Sequence, residues 1–358
     1  MTKPTFSSAA PVFVSSEIYR QTGYNRQHPL AIERIGPVMD ICTEMGWLNA
    51  EHYHESPMAT FDTLTQFHDK SYVEAVMEAS LTGKATPQMR ETYALGTMEN
   101  PVFKGLFERA ATSVGGSILA AQLAMAGRVA YHPAGGTHHG RRNRASGFCY
   151  FNDPVFAIRE FQDAGLKRVA YLDLDAHHGD GVEDAFSNEP RILCISIHES
   201  NRWPGTGLGH GQYSLNYPVP AGFGDLDFSQ MMTDEVLPAL KKFAPDALVI
   251  TCGADALAGD PLSKLSLSNS GLWDAVLGSV ALSPRAVVLG GGGYNPWTTA
   301  RCWSGLWARL NSYEIPTRLP ERVTTLLKTF HCDLVEDDEL DPQWLTTIAD
   351  REPAYEIT

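Results

Sequence analysis

The segment D-L-D-A-H-H-G-D-G (173–181) carries the densest chemistry in the chain. Asp175 and His177 stand two positions apart. On an extended strand end such residues share a face, so Asp173, Asp175 and His177 can present three side chains to one side. Carboxylate oxygen and imidazole nitrogen are donors that zinc accepts. A third ligand must come from elsewhere. Asp260, in G-A-D-A-L-A-G-D-P (253–261), is the candidate, because a carboxylate in that Gly-flanked loop is poorly solvated unless a cation pairs with it. Two Asp, one His and open positions describe a catalytic metal site and not a closed structural one. Helix capping is the commoner fate of a lone Asp, but it does not account for both motifs together. His178 alternates away from His177 and reads as structural.

G-G-T-H-H-G (135–140) sets His138 beside His139 on an irregular loop. Two imidazoles near a cation do not both stay protonated. One can act as base and then acid while the other polarises. Such histidines need carboxylates to orient them, and Asp173 and Asp180 are available. The alternative is that one or both ligate the metal. G-G-G-G-Y (290–294) follows an apolar run. Each glycine costs chain entropy, so the run signals close backbone approach and positive φ. It lacks the Lys of a phosphate loop and the G-x-G-x-x-G spacing of a dinucleotide site. It reads as a hinge presenting Tyr294, whose phenol can donate to a developing oxyanion. The plain alternative is a half-buried core tyrosine.

Positioning these groups requires a sheet. Apolar runs at 11–16, 128–132, 168–175, 191–198, 246–255 and 285–294 alternate with helix-period segments near 31–46, 69–82, 101–126, 153–164, 229–243, 270–281 and 298–311. Continuous hydrophobicity suits strands covered on both faces. The rhythm predicts a three-layer α/β fold with a central, mainly parallel sheet flanked by helices. Pro101 and Asp153-Pro154 look like helix starts. Five of the six runs end in residues capable of chemistry, and open α/β sheets bind ligands beyond the carboxyl ends of their strands.

The 358 residues are 43% hydrophobic and 20% charged, which excludes global disorder. The net charge is −14, from 42 acids against 28 Lys+Arg, the wrong sign for tracking phosphates. No nucleic-acid partner is expected. The acidity favours solubility or cationic partners. Six scattered cysteines form no C-x-x-C pair and suggest a reducing cytoplasm. The opening M-T-K-P-T-F-S-S-A-A-P-V-F-V lacks a secretory pattern, and no apolar stretch reaches the ~20 residues of a membrane span, so no membrane partner is expected. A single domain over 1–330 is expected, followed by an acidic tail or cap over 331–358.

G-G-T-H-H-G-R-R-N-R-A-S-G-F-C-Y-F-N-D, Y-L-D-L-D-A-H-H-G-D-G-V-E-D-A-F, P-G-T-G, G-A-D-A-L-A-G-D-P and L-G-G-G-G-Y-N, running in order between His28 and Cys302, resemble the zinc-dependent histone deacetylase superfamily. That superfamily includes acetoin utilisation proteins and acetylpolyamine amidohydrolases, and this chain is similar to its class I pattern. The resemblance implies the arginase/deacetylase fold and zinc held by Asp175, His177 and Asp260. It makes His139 the base and then acid, His138 its electrostatic partner, Asp180 the orienter of His139 and Asp173 that of His138. It makes Tyr294 the group polarising the carbonyl. Gly147 would receive the substrate amide, Phe148 and Trp203 would wall an acyl-lysine tunnel, and Leu267, Glu99 and Gly292 would complete the substrate contacts. Arg34 would line an internal acetate channel. Potassium would sit at Asp173, Asp175, His177, Ser196 and the Ile197 carbonyl, and again at Phe186, Ile192 and Tyr213. Leu267 stands where polyamine-selective relatives can carry Glu. The implied function is hydrolytic removal of acetyl or other acyl groups from lysine side chains. The alternative is acetylpolyamine hydrolysis, so the partner is an acylated lysine peptide or protein, or a small acylated amine. An arginase-like bimetallic ureohydrolase would need a D-x-D pair where only Asp255 and Asp260 occur. A catalytically dead acyl-lysine binder would not need the full set.

Overall fold

The computed structural model describes residues 9–21 and 23–350. Eight strands form one sheet: β1 (Val12–Ser15), β2 (Tyr53–Glu55), β3 (Val129–His132), β4 (Val169–Asp173), β5 (Ile192–Glu199), β6 (Ser214–Val219), β7 (Ala247–Thr251) and β8 (Ala286–Leu289). Their order is β2-β1-β3-β8-β7-β4-β5-β6, and every pairing is parallel. The six expected runs are the six inner strands. The two that the apolar runs do not announce, β2 and β6, are the sheet edges. Their residues are partly exposed and polar (Y-H-E and S-L-N-Y-P-V), so neither reads as a continuous apolar run.

Alternation along the inner strands builds three layers. Ala170 and Leu172 of β4 and Leu248 and Ile250 of β7 enter one core with helices α1 (Ile35–Glu44), α4 (Asn269–Val280) and α5 (Pro296–Leu310). Val169 and Tyr171, with Ala247 and Val249, enter the opposite core with α2 (Leu106–Ala124) and α3 (Asp153–Asp163). Period-two alternation on a sheet covered on both faces requires this split. Asn152 caps α3 just ahead of Asp153-Pro154. Pro101, however, starts no helix: α2 begins at Leu106, after Gly105 at φ +86°. The segment expected at 229–243 starts earlier, at Asp225, and carries a π turn over Met232–Val236 just before Pro238.

From Asp341 to Asp350 the chain packs against α4 and α5. Ile348 is fully buried, Arg301 pairs with Asp350 at 2.7 Å, and Asn269 Nδ2 donates to the Ile348 carbonyl at 2.7 Å. Residues 351–358 of the expected tail lie outside the described residues.

Two buried histidines off the site set an acid limit. His68 Nδ1 lies 3.0 Å from the Arg141 carbonyl, its Nε2 accepts the Asn152 N–H at 3.2 Å, and burial pushes its pKa down to about 4. Burial pushes His132 down to about 3. Both pKa values fall below the unfolded value, about 6.5. Their stabilisation is therefore complete above that pH and is lost as pH falls toward the folded values. The thermal midpoint should drop between about pH 6.5 and 4, and His68→Gln should shallow the slope. A slope unchanged by His68→Gln would contradict this.

Candidate active site

β3, β8, β7 and β4 are consecutive parallel neighbours, so their carboxyl ends open on one edge. β3 leads to the His138–His139 loop, β8 to the glycine run and β7 to Asp255 and Asp260. β4 leads to Asp175 and His177. Asp175, His177 and Asp255, all buried, each offer a ligand atom within 4.8 Å of the others. His177 Nδ1 lies 2.9 Å from Asp255 Oδ2 and 3.2 Å from Asp175 Oδ1.

Asp260, the expected third ligand, is not a member of that tight group. Its Oδ2 accepts the Tyr294 N–H at 2.7 Å and its Oδ1 the Leu262 N–H at 2.9 Å. Asp255 holds the nearer position because its Oδ1 accepts the Ala176 N–H at 3.0 Å, which fixes its other oxygen against the adjoining His177. Burial and then Asp175 push Asp255 up to about 6; burial and then Asp255 push Asp260 up to about 7. At Asp175 burial is outweighed by His138 and His177, which hold the carboxyl well below its usual range. Several buried carboxylates crowd one imidazole. That oxygen–nitrogen donor set, with its excess negative charge, fits a divalent cation.

The glycine run lies against this group. A Cβ on Gly292 would come within 2.1 Å of Asp255 Oδ2, and one on Gly253 within 2.2 Å of Asp175 Oδ2. The Gly292 N–H donates to Asp175 Oδ2 at 2.6 Å. Gly292 therefore holds a carboxylate in place beside the metal group. The run is more a cradle than a hinge, because only a bare backbone fits beside two carboxylates.

The rings of His138 and His139 lie with centroids 3.9 Å apart, tilted by 48°. His138 Nδ1 lies 2.7 Å from Asp173 Oδ2, and His139 Nδ1 lies 2.8 Å from Asp180 Oδ1. Burial opposes charge at His138, but Asp173 and Asp175 outweigh it and raise its pKa to about 9. Burial and then the neighbouring His138 push His139 down to about 3. Asp173 and Asp175 thus favour the charged form at His138, whereas burial and that neighbouring charge favour the neutral form at His139. Tyr294 is 7% exposed, and burial pushes its phenol well above its ordinary value, so it stays a donor.

The walls above are aromatic. The Trp203 ring stands 4.6 Å from that of His139, and the Phe148 ring 5.8 Å from that of Tyr294. Gly147, at φ +54°, sits where a Cβ would meet His139 and Trp203 at 2.4 and 2.5 Å. Its N–H donates to the Glu99 carboxylate, which places exposed Glu99 at the rim. Leu267 is 3% exposed and packs in the core, paired through its backbone with Ala256 and Ala258. Those bonds support the Asp260 loop from beneath. His178 points away, to Thr206, Glu183 and Asn216. Ser196 lies opposite Asp173 in the β4–β5 register, with Ile197 following. Phe186 and Tyr213 line a cavity of about 60 Å3; Ile192 is not among its lining residues.

Several further residues support the site, two inside the 135–153 motif and two outside every motif. Arg141 donates to both the Asp180 carboxylate and its carbonyl, the latter at 3.1 Å. Asp153 accepts N–H bonds from Gly136 and Thr137 at 3.0 and 2.7 Å and so ties down the dihistidine loop. The Cys332 thiol donates to the Tyr294 carbonyl at 3.6 Å, and Trp344 packs where a Cβ on Gly259 would be 2.7 Å away. Residues after 330 thus brace the loops of Tyr294 and Asp260. Asp255 was legible only as an acid in the G-A-D motif, not as the partner of His177.

The histone deacetylase domain family matches residues 28–310. Histone deacetylase 8 of Xenopus tropicalis is 32% identical over 325 residues, covering 88% of this chain and 87% of that protein. Acetoin utilization protein AcuC of Bacillus subtilis is 33% identical over 329 residues, covering 86% and 84%. The crystal structure of a histone deacetylase homolog from Aquifex aeolicus superposes with a TM-score of 0.91 at 32% identity, covering 98% of this chain and 97% of that one. A homolog structure complexed with SAHA matches equally well, at TM-score 0.91. The chain belongs to the histone deacetylase family. It has the arginase/deacetylase fold and is a metal-dependent hydrolytic deacetylase acting on acylated amines. No helix among the described residues is long and apolar enough to cross a membrane.

Proposed function

We propose that this chain hydrolyses acyl groups, acetyl first among them, from the side-chain amine of lysine in proteins or peptides, with zinc as its metal. One observation carries the reading: a buried Asp–His–Asp group and an Asp-oriented histidine pair share the floor of a cleft walled by Phe148 and Trp203. Such walls admit a slim alkyl stem and exclude bulk.

Asp175, His177 and Asp260 would hold the zinc, with Asp255 fixing His177. An ion that also meets substrate must face the cleft. His177 is 9% and Asp260 6% exposed, whereas Asp175 is 1% exposed and Asp255 fully sealed, so exposure separates Asp260 from Asp255 as the third ligand. When bound, zinc supplies Lewis acidity that polarises the amide carbonyl and acidifies water. His139, held through Nδ1 by Asp180, takes the proton of the attacking water and passes it to the leaving amine. His138, charged between Asp173 and Asp175, keeps its neighbour neutral. The Tyr294 hydroxyl donates to the developing oxyanion, worth roughly 3 kcal/mol. Gly147 accepts the substrate amide and Glu99 secures the rim. Arg34 NH1 donates to the Gly291 carbonyl at 2.8 Å and lines a cavity behind the site that would take the acid product.

Potassium at Asp173, Asp175, His177, Ser196 and Ile197 would neutralise carboxylates on the far side of the zinc ligands. Phe186, Ile192 and Tyr213 would offer a second site through carbonyls. Those of Phe186 and Tyr213 each accept one N–H, at 3.0 Å, and keep a lone pair. The catalytic domain would span 1–330 and the acidic segment 331–358 would cap it. All six cysteines are buried free thiols, which fits a cytoplasmic location.

Parallel assays of zinc-loaded protein on an acetyl-lysine peptide and N-acetylputrescine test the substrate. Faster turnover of the peptide is expected; a large preference for the polyamine would overturn it. Asp260→Asn should strip zinc in equilibrium dialysis, while Asp255→Asn should retain it with weakened affinity, about 10–100-fold. Zinc lost by Asp255→Asn and kept by Asp260→Asn would reverse the assignment.

A further inference from the structure

The cavity behind the dihistidine loop contains a feature that acetate does not require. It measures about 80 Å3, room for several atoms beyond the ~10–15 Å3 one water needs. Thr137, the residue before His138, lines it together with Phe148, Tyr24 and Tyr150. Two arginines also line it, Arg34 and Arg109. Arg34 donates NH1 to the Gly291 carbonyl at 2.8 Å and lies over the Trp303 ring at 5.4 Å. Arg109 donates NH1 to the carbonyls of Ile18 and Gln21 at 3.0 and 2.8 Å and lies over the Tyr19 ring at 5.3 Å. Among the described residues neither has a carboxylate partner.

A guanidinium has five N–H donors in a rigid fork. Both NH1 hydrogens of Arg109 are used, which leaves its Nε–H and NH2 edge, the edge that grips a carboxylate bidentately. Burial weakens the charged form of Arg109; Tyr24 and Tyr19 oppose that, and the positive field of Arg34 adds to it. An anion between the two would relieve both costs.

We propose that the cavity selects acyl groups ending in a carboxylate, such as succinyl or glutaryl, with the distal carboxylate on Arg109 and Arg34. This rests on the deacylase reading. Water adds OH to the acyl carbon, the C–N bond breaks, the amine takes the proton, and the dicarboxylic acid and free lysine result.

The test compares zinc-loaded protein on lysine peptides carrying acetyl, pentanoyl and glutaryl groups, with glutarate binding followed separately by calorimetry. Glutaryl should exceed pentanoyl in kcat/KM by about tenfold or more, as expected for one charge-assisted carboxylate contact. Arg109→Met should abolish that ratio, Arg109→Lys should restore part of it, and glutarate binding should weaken in the same order. Equal turnover of pentanoyl and glutaryl by the unmodified protein, or glutarate binding indifferent to Arg109, would overturn the proposal. If no acyl peptide is turned over, the deacylase reading fails, and Arg109-dependent glutarate binding still decides whether the cavity holds a carboxylate.

Discussion

Replacing His139 by Ala is expected to lower kcat on an acetyl-lysine peptide by about 10²–10⁴-fold, the range for loss of a positioned acid–base group. The KM should change little and the zinc content should not change. The residue touches no metal-group carboxylate; its Nδ1 is committed to Asp180 at 2.8 Å. Its partner cannot take over. His138 is turned between Asp173 at 2.7 Å and Asp175 at 3.7 Å, and those two carboxylates keep it protonated. A protonated imidazole is no base. His138→Ala should therefore cost less than His139→Ala in a steady-state comparison. The reverse order would mean that the proton shuttle has been assigned to the wrong ring.

Tyr294→Phe is expected to reduce kcat by about 10²–10³-fold, the cost of removing one oxyanion donor. The substitution keeps the ring that packs 5.8 Å from Phe148, and it leaves the backbone N–H on Asp260, so fold and metal binding should persist. Rate and zinc content measured on the same preparation separate the two effects. Full activity in the Phe variant would remove the phenol from the mechanism.

The inner sheet was legible because its strands are buried on both faces and therefore read as apolar runs. The edges were not: Tyr53–Glu55 and Ser214–Val219 are partly solvated and polar. The chemistry at the strand ends was legible for the same geometric reason that gathers it, since parallel strands discharge their loops on one edge. The place of Asp255 beside His177 depends on the Ala176 N–H that holds it, a long-range bond with no sequence pattern. Cys332 and Trp344 lie outside every motif, and only the packing of the chain after residue 330 brings them to the Tyr294 and Asp260 loops.

The most direct measurement is anomalous diffraction at the zinc edge from crystals of the zinc-loaded protein. One peak is predicted, bounded by Asp175, His177 and Asp260, with the His139 ring and the Tyr294 hydroxyl facing it. Two peaks in that pocket, or none there while zinc binds elsewhere, would contradict a single-metal hydrolase.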